Sequence, residues 1–517
     1  MAEQAEHRRR SSPVTAAVIM ACWLGAMGGL IALIPARALD PADVAFLATM
    51  GAVGLWRWGW GGLHLLRALV YLRHTFPMIR RRAEADPNVA GRHVGAVVLS
   101  WKMGDEMNAA VYGNLFRDIL DNGGGGTVVA AVSSEHDMAL IGHVHAMIDV
   151  KGEIRLAFTL QDGTGKRSAM ADALARLREM GLPPDCPGIL MDGDTLVAPG
   201  LIRATAPILL HQNAVGALTV DNTPLVAGRT IDREWYRLRM AQRHVTMSSM
   251  AMSGRVLVLT GRWSMFRSQI LTDASFAANL LHDVVHHPRL GRIIMLTGDD
   301  KSSWRWVIEQ GWEVTYVPDA VIYCLESLPG KGFVRDTIGL QKRWFGNMVR
   351  GGIKALAMGR ARLGTFAWIA LWDQRVSTWT PLLGLVFFGL AGVMHDPLFF
   401  LIFMLWVMLS RSVQAAMVGM ISGRWHPAFA PLIYYGQIVG SGIKIFITFN
   451  PNVQKWTRQN TGGGDPAANV RGDSRVLMMA SIACFISAIV LFSNLNDPST
   501  RFDFSADRLA MEMIHGR

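Results

Sequence analysis

Two pairs of carboxylates carry the strongest chemical signal in this 517-residue chain. In Ile189-Leu190-Met191-Asp192-Gly193-Asp194 an apolar run ends in two aspartates spaced by one residue. Oxygen ligands in that arrangement suit a hard divalent cation, Mg2+ or Mn2+, which keeps positions open for a diphosphate. Such an ion would neutralise a departing nucleotide; the plainer alternative is a polar turn whose aspartates cap the next helix. The second pair lies in Thr297-Gly298-Asp299-Asp300-Lys301, after the apolar residues 293–296 and before a helix expected to begin near Ser302. Adjacent carboxylates repel, so enclosing both raises at least one pKa, as a general base requires. An exposed acidic helix cap would use the same residues. Gly165-Lys166-Arg167-Ser168 opens a helical stretch, where backbone amides and two cations form either an anion site or a solvated basic turn. Gln341-Lys342-Arg343-Trp344-Phe345 lies on a basic amphipathic stretch that suits a site or an interfacial anchor.

These residues need a scaffold, and the region from about 93 to 364 alternates strand-like runs (94–99, 127–132, 154–159, 188–191 and 214–220) with helical stretches. That alternation favours a mostly parallel sheet covered by helices on both faces. Ligands in such folds sit at the carboxyl ends of strands, where Asp192 falls.

The composition places this domain in a membrane protein. A hydrophobic fraction of 51% is too high for an ordinary soluble chain, and the apolar residues concentrate near both ends. The net charge of +11 comes largely from arginines flanking apolar segments, which reads as positive-inside anchoring and not as nucleic-acid binding. The four cysteines show no metal-ligand spacing. Residues 14–36 and 44–72 are expected to form a transmembrane hairpin within an N-terminal region 1–75. A cytoplasmic domain follows over 76–364, with amphipathic interface helices near 335–375. Apolar segments at 379–394, 397–422, 428–449 and 476–495 form a C-terminal membrane region, 376–495, with a cytoplasmic loop at 450–475 and a periplasmic tail at 496–517. The basic residues on both sides permit only an even number of crossings between 364 and 450, so residues 428–449 are expected to lie in the interface or re-enter.

The order of phosphate-binding cations, Asp-x-Asp, Gly-Asp-Asp and Arg-Trp resembles family 2 inverting glycosyltransferases, an α/β GT-A (Rossmann-like) domain inserted between transmembrane helices. The runs 239–250 (RMAQRHVTMSSM), 256–266 (VLVLTGRWSMF), 297–304 (TGDDKSSW), 343–350 (RWFGNMVR) and 454–459 (QKWTRQ) are similar to those of alginate polymerase catalytic subunits. The resemblance implies that Asp192 and Asp194 bind the metal and Asp300, assisted by Asp299, is the catalytic base. It assigns the nucleotide to Lys166, Arg167, Arg343, and Lys455, Trp456 and Arg458 of a closing loop. Either Glu135 or Asp137 would stand for the family's aspartate after the second strand. Acceptor contacts fall to Trp344, Gly261 and Arg262, with Gln341 replacing the family glutamine whose position Leu340 occupies.

The same resemblance implies a GDP-mannuronate donor, a growing β-1,4-polymannuronate acceptor, the lipid bilayer as environment, and a separate co-polymerase with periplasmic and outer-membrane export proteins as partners. Lys301 and Arg267 are candidates for the donor carboxylate. The expected location is the inner membrane, multi-pass, with the catalytic domain facing the cytoplasm.

Overall fold

The computed structural model describes residues 44–328, 330, 332–394, 397–424, 426–454 and 470–495. The expected span at 14–36, most of the 450–475 loop and the 496–517 tail lie outside the described residues. The chain divides into two units, one formed by Leu63–Thr378 with Met408–Ala467 and the other by Met1–Gly62, Trp379–Val407 and Ala468–Arg517.

Helix α1 (Val44–Val70) runs through a π-helical turn at Tyr71–Thr75 into α2 (Phe76–Glu84). Three strand–helix–strand crossovers follow: β1 (Val94–Leu99), α3 (Asp105–Asn122), β2 (Gly126–Val132), α4 (Glu135–Ile148), β3 (Ile154–Leu160), α5 (Lys166–Met180) and β4 (Pro187–Asp192). β1 and β2 are buried at every position, because helices cover both sheet faces and leave no polar side to alternate with. Next come β5 (Thr195–Val197), α6 (Leu201–His211), β6 (Val215–Val226), α7 (Thr230–Ala251) and β7 (Trp263–Arg267). The domain continues with α8 (Ser268–Leu271), α9 (Ala274–Leu281), the hairpin β8 (Val284–His287) and β9 (Gly291–Ile294), α10 (Asp299–Glu309) and β10 (Glu313–Glu326).

The main sheet has the order β3-β2-β1-β4-β7-β6-β10-β5. Its first four strands are mutually parallel, as expected, and so are β6 and β10. β7 runs antiparallel to both β4 and β6, and β5 antiparallel to β10, so the sheet is mixed. The reversal at β7 carries residues 260–262 past the carboxyl end of β4. One boundary also moves: α10 begins at Asp299, not near Ser302, because Gly298 adopts the left-handed φ of +90° and starts the helix there. The aspartate pair is therefore the first helical turn itself.

After the sheet come α11 (Phe333–Ala357), α12 (Gly359–Leu363), α13 (Thr365–Val376), α14 (Thr380–Met394), α15 (Pro397–Ser422), α16 (Phe429–Phe449) and α17 (Val470–Leu495). Phe403–Ser422 within α15 and the whole of α16 are long and apolar enough to cross a membrane. α16 is one unbroken helix of 21 residues. It packs along α11 through Ile443 and Ile447 against Val349, with Ile338 and Phe345 alongside.

Candidate functional site

The carboxyl end of β4 and the N-termini of α5 and α10 meet at one ammonium group. Lys166, first residue of α5, places Nζ 2.8 Å from Asp192 Oδ1 and 2.7 Å from Asp299 Oδ2. Asp192 is fixed from behind, its backbone N–H donating to the Arg262 carbonyl at 3.0 Å and that of Gly193 to Leu99 at 2.9 Å. The residue between the aspartates must be glycine, since a Cβ there would stand 2.8 Å from Ser100 Cα. Gly261 completes the pocket by what it lacks: a Cβ would lie 3.1 Å from Lys166 Nζ, 3.3 Å from Asp299 Oδ2 and 3.7 Å from Asp192 Oδ2. The sequence expectation placed Gly261 with the acceptor; the fold places it against the charged cluster.

Enclosure separates the aspartates electrostatically. Burial pushes Asp192 up to about 6 against the pull of Lys166, and the charges of Asp194 and Asp299 push the same way. Burial also acts to raise Asp299, but Lys166 and Arg167 outweigh it and hold its carboxyl below the usual range. Asp300 is raised, by burial and then by the adjacent Asp299 charge. It is half-buried, and its Oδ1 accepts from the Lys301 N–H at 2.9 Å. The excess of negative charge beside Asp192 suits a cation. Among the described residues no three His, Cys, Asp or Glu side chains converge as a cage, so a divalent ion at Asp192 and Asp194 would take its remaining ligands from a diphosphate and water.

A buried frame holds the Thr297–Asp300 turn. Arg167 is committed to the carbonyls of Leu280 (2.6 Å) and Thr297 (3.2 Å) and to Ser302 Oγ (2.9 Å). It was expected at the nucleotide, but its guanidinium faces inward and braces α10. Asp283 accepts from Arg305 at 3.1 Å and from Lys354, tying α10 to α11. Thr297 Oγ1 donates to Asn347 at 2.6 Å, and the buried Arg350 reaches Asn347 at 3.1 Å. Gln454 bonds the backbone on either side of Met295: it accepts from Leu296 N–H at 3.0 Å and donates to the Ile294 carbonyl at 2.8 Å. It thereby anchors the start of the 454–459 run beside this turn. Asp283 does not stand out in sequence, and Gln454, although it opens the 454–459 run, carries no local sign of its partners, because each acts on a residue more than fifteen positions away.

A second surface borders the cluster. Trp344 on α11 stacks on Trp235 of α7, with centroids 5.7 Å apart and planes inclined by 12°, and Leu340 packs into the same apolar group. Arg239 lies over Trp344 at 4.7 Å. Arg262 pairs with Glu326 of β10. Arg343 is half-buried and adds to the positive field at Tyr236.

Other expected residues stand elsewhere. Gln341 is fully buried on the face shared with Phe345 and turned towards Gly440 of α16, so the structure removes it from an accessible acceptor surface. Arg267 pairs with Pro187, at the opposite end of β4 from Asp192, and is consumed by the carbonyls of Val215, Leu209 and Gln212. Lys301 donates to the Leu257 carbonyl, and burial lowers its amine to about 8 despite Asp300. Both side chains are therefore occupied away from the cluster. Asp137 is buried in the first turn of α4 and receives bonds from Asn108, Ser133 and the N-cap Ser134, each at 2.9 Å; Glu135, in the same turn, is exposed. Lys455, Trp456 and Arg458 lie outside the described residues.

Residues 91–347 match the family model described as glycosyltransferase like family 2. The chain is similar to glycosyltransferase alg8 of Pseudomonas syringae pv. tomato, 35% identical over 479 residues, covering 90% of this chain and 96% of that protein. It is also similar to glycosyltransferase alg8 of Azotobacter vinelandii, 34% identical over 468 residues, covering 89% and 94%. Among solved structures, a mannosyltransferase from Pyrobaculum calidifontis in complex with GDP-Man and Mn2+ aligns over 84% of this chain and 98% of that one. Its identity is 13% and its TM-score 0.35, too distant to bear on the site.

Proposed function

The chain belongs to the alg8 glycosyltransferases of family 2, and from that premise we propose that it is a processive, inverting mannuronan synthase of the inner membrane. It transfers mannuronate from GDP-mannuronate to β-1,4-linked polymannuronate, the precursor of alginate, and passes the polymer out through its own membrane helices. The observation that carries this reading is the Lys166 bridge between Asp192 and Asp299, which collects a strand end and two helix N-termini where a charged donor and a hydroxyl acceptor can meet.

The transfer is a single displacement. Asp300, whose raised carboxyl is the stronger base of its pair, takes the proton from the acceptor's terminal hydroxyl as oxygen attacks the anomeric carbon opposite the nucleotide. The glycosidic bond to the nucleotide breaks as the new one forms, and the configuration inverts. Asp299 stays ionised and orients Lys166, whose ammonium faces the departing charge. Asp192 and Asp194 would hold Mg2+ or Mn2+, which would supply further neutralisation of the nucleotide diphosphate. Trp344 offers an aromatic face to the acceptor sugar, which holds a polymer yet lets it slide. The family resemblance assigns Lys455, Trp456 and Arg458 to the nucleotide, with Glu135 or Asp137 contributing on the base side.

The catalytic domain faces the cytoplasm, in keeping with the basic residues bordering the apolar helices and with the two helices of spanning length. A membrane co-polymerase and periplasmic and outer-membrane export proteins act with it. The test is radiolabel incorporation by membranes containing the protein, supplied with GDP-mannuronate, UDP-glucose or UDP-glucuronate, beside Asp300→Asn. Polymer from the GDP donor alone, absent in the variant, is the expected result. Polymer from a UDP donor would keep the mechanism and overturn the substrate.

A further inference from the structure

Among the described residues, Arg239 is a cation without an anion. Its guanidinium carbon lies 4.7 Å from the Trp344 ring centroid, 5.4 Å from that of Trp235 and 5.7 Å from that of Phe345. Among the described residues no hydrogen bond or ion pair engages its five N–H donors, although it is only half-exposed. Arg262, close by, is neutralised by Glu326. Arg239 has no such counter-charge, and burial alone lowers it to about 10.

A second group points to the same place. Tyr236 is fully buried and its hydroxyl has no partner among the described residues. Burial pushes this hydroxyl up to about 12, while Arg262, Arg343 and Arg239 all pull it down, so three guanidinium charges act on a hydroxyl that has no partner among the described residues. Enclosing a charge and a hydroxyl without partners is costly unless a ligand supplies them. The missing partner is anionic, and it must rest on an aromatic platform.

We infer that Arg239, seated on the Trp235–Trp344 stack beside the Tyr236 hydroxyl, is a carboxylate subsite for the terminal sugar of the acceptor chain, and thus a determinant of specificity for uronates. This rests on the acceptor role proposed above for Trp344. The two flat faces of the sugar ring and the indole account for position; the guanidinium fork reads the carboxylate in its plane. A neutral hexose leaves both Arg239 and Tyr236 unpaired, which penalises it where a mere loss of contact would not. A nucleotide diphosphate is the other anion at hand, but the function proposed above puts that charge at Asp192 and Asp194.

Membranes containing the full chain and its native partners provide the test. Oligomannuronate and its carboxyl-free counterpart, β-1,4-mannan oligosaccharide, serve as acceptors with GDP-mannuronate as donor, and GDP serves as a competitor reporting the donor subsite. Arg239→Gln is expected to raise KM for oligomannuronate about ten- to a hundred-fold, the loss of one charge-assisted hydrogen bond, with kcat changed less than about threefold. Ki for GDP stays at the wild-type value, which also reports that the variant is folded. If Arg239→Gln does not accumulate, Arg239→Lys keeps the charge without the fork and is expected to raise the same KM by a smaller factor. An unchanged oligomannuronate KM in the variant that folds overturns the inference, as does a rise in Ki for GDP that matches the rise in KM. Wild-type membranes that use the mannan oligosaccharide as well as oligomannuronate also overturn it. Failure of the substrate reading looks different: wild-type membranes then incorporate nothing from GDP-mannuronate.

Discussion

Lys166 and Asp299 stand 133 residues apart in the chain, yet Nζ of one lies 2.7 Å from Oδ2 of the other. The same ammonium holds Asp192, so one side chain sets the relative positions of the strand carrying the Asp-x-Asp and the helix carrying the Asp-Asp pair. Its two aspartate partners raise the lysine's affinity for its proton and outweigh its burial, which acts to lower it.

Replacing that lysine separates charge from geometry. Lys166→Met fills similar space but leaves two enclosed carboxylates facing each other. Transfer is expected to fall by at least about 100-fold, the size of effect seen when one preorganised electrostatic contact is removed. Initial rates of sugar transfer decide it; a variant within threefold of wild type would show that Lys166 is only a spacer.

The base should show itself in the pH profile. Asp300 is raised above the ordinary carboxylate value of about 4 by burial and by Asp299, and as the proposed base it must be deprotonated to act. The log of kcat/KM for the acceptor is therefore expected to fall as pH drops through a value above 4. Asp299→Asn removes the adjacent negative charge, so whatever activity remains should have its acid limb moved to lower pH. An acid limb that stays in place would sink the pairing.

Gly261 tests the space at the cluster. Its backbone does not require glycine, but a Cβ would press Lys166 Nζ at 3.1 Å and Asp299 Oδ2 at 3.3 Å. Gly261→Ala is expected to lower kcat about tenfold, through a shift of a few tenths of an ångström, while thermal unfolding stays within roughly 2 °C of wild type. Full activity would mean that the gap is slack.

Asp283 bears on stability. It is buried between Arg305, Lys354 and Ser302, and although burial acts to raise it, those partners hold its carboxyl below the usual range. Asp283→Asn is expected to cost about 3 kcal/mol, because it takes the carboxylate from Lys354 and one of the two carboxylates from Arg305, which keeps Glu309. For a depressed carboxyl the native state binds fewer protons than the unfolded chain near pH 4, so stability rises with pH there and is lost as pH falls through the lowered value. The gap between wild type and variant, read by unfolding in detergent, should hold at neutral pH and close below about pH 4. A gap unchanged at pH 3 would refute the ion-pair account.

Much of the scaffold is readable along the chain because it depends on local patterning. The runs at 94–99, 127–132 and 188–191 are buried parallel strands, which read as near-continuously apolar, while 154–159 is the parallel edge strand and is only partly buried. Lys166 opens a helix as its Gly-Lys-Arg context suggests. The antiparallel β7 carries no comparable mark: Trp263–Arg267 is five residues long and owes its direction to pairing with β4 on one side and β6 on the other. Arg167 and Arg267 look like ligands for anions in sequence, yet both are turned inward onto backbone carbonyls. A guanidinium's partners are chosen by what lies within reach after folding.

By itself, then, the sequence determined the alternating α/β domain, its place between apolar segments, and the identity of the aspartates at the strand and helix ends. Period and polarity specify these, and both are properties of neighbours in the chain. Only the tertiary structure decided that Lys166 joins Asp192 to Asp299, that Gly261 guards the space between them, and that Gln341 turns to α16 while Trp344 meets Trp235. Those outcomes depend on distances between residues far apart in sequence. Such distances are set by how helices and strands pack, and no single segment contains them.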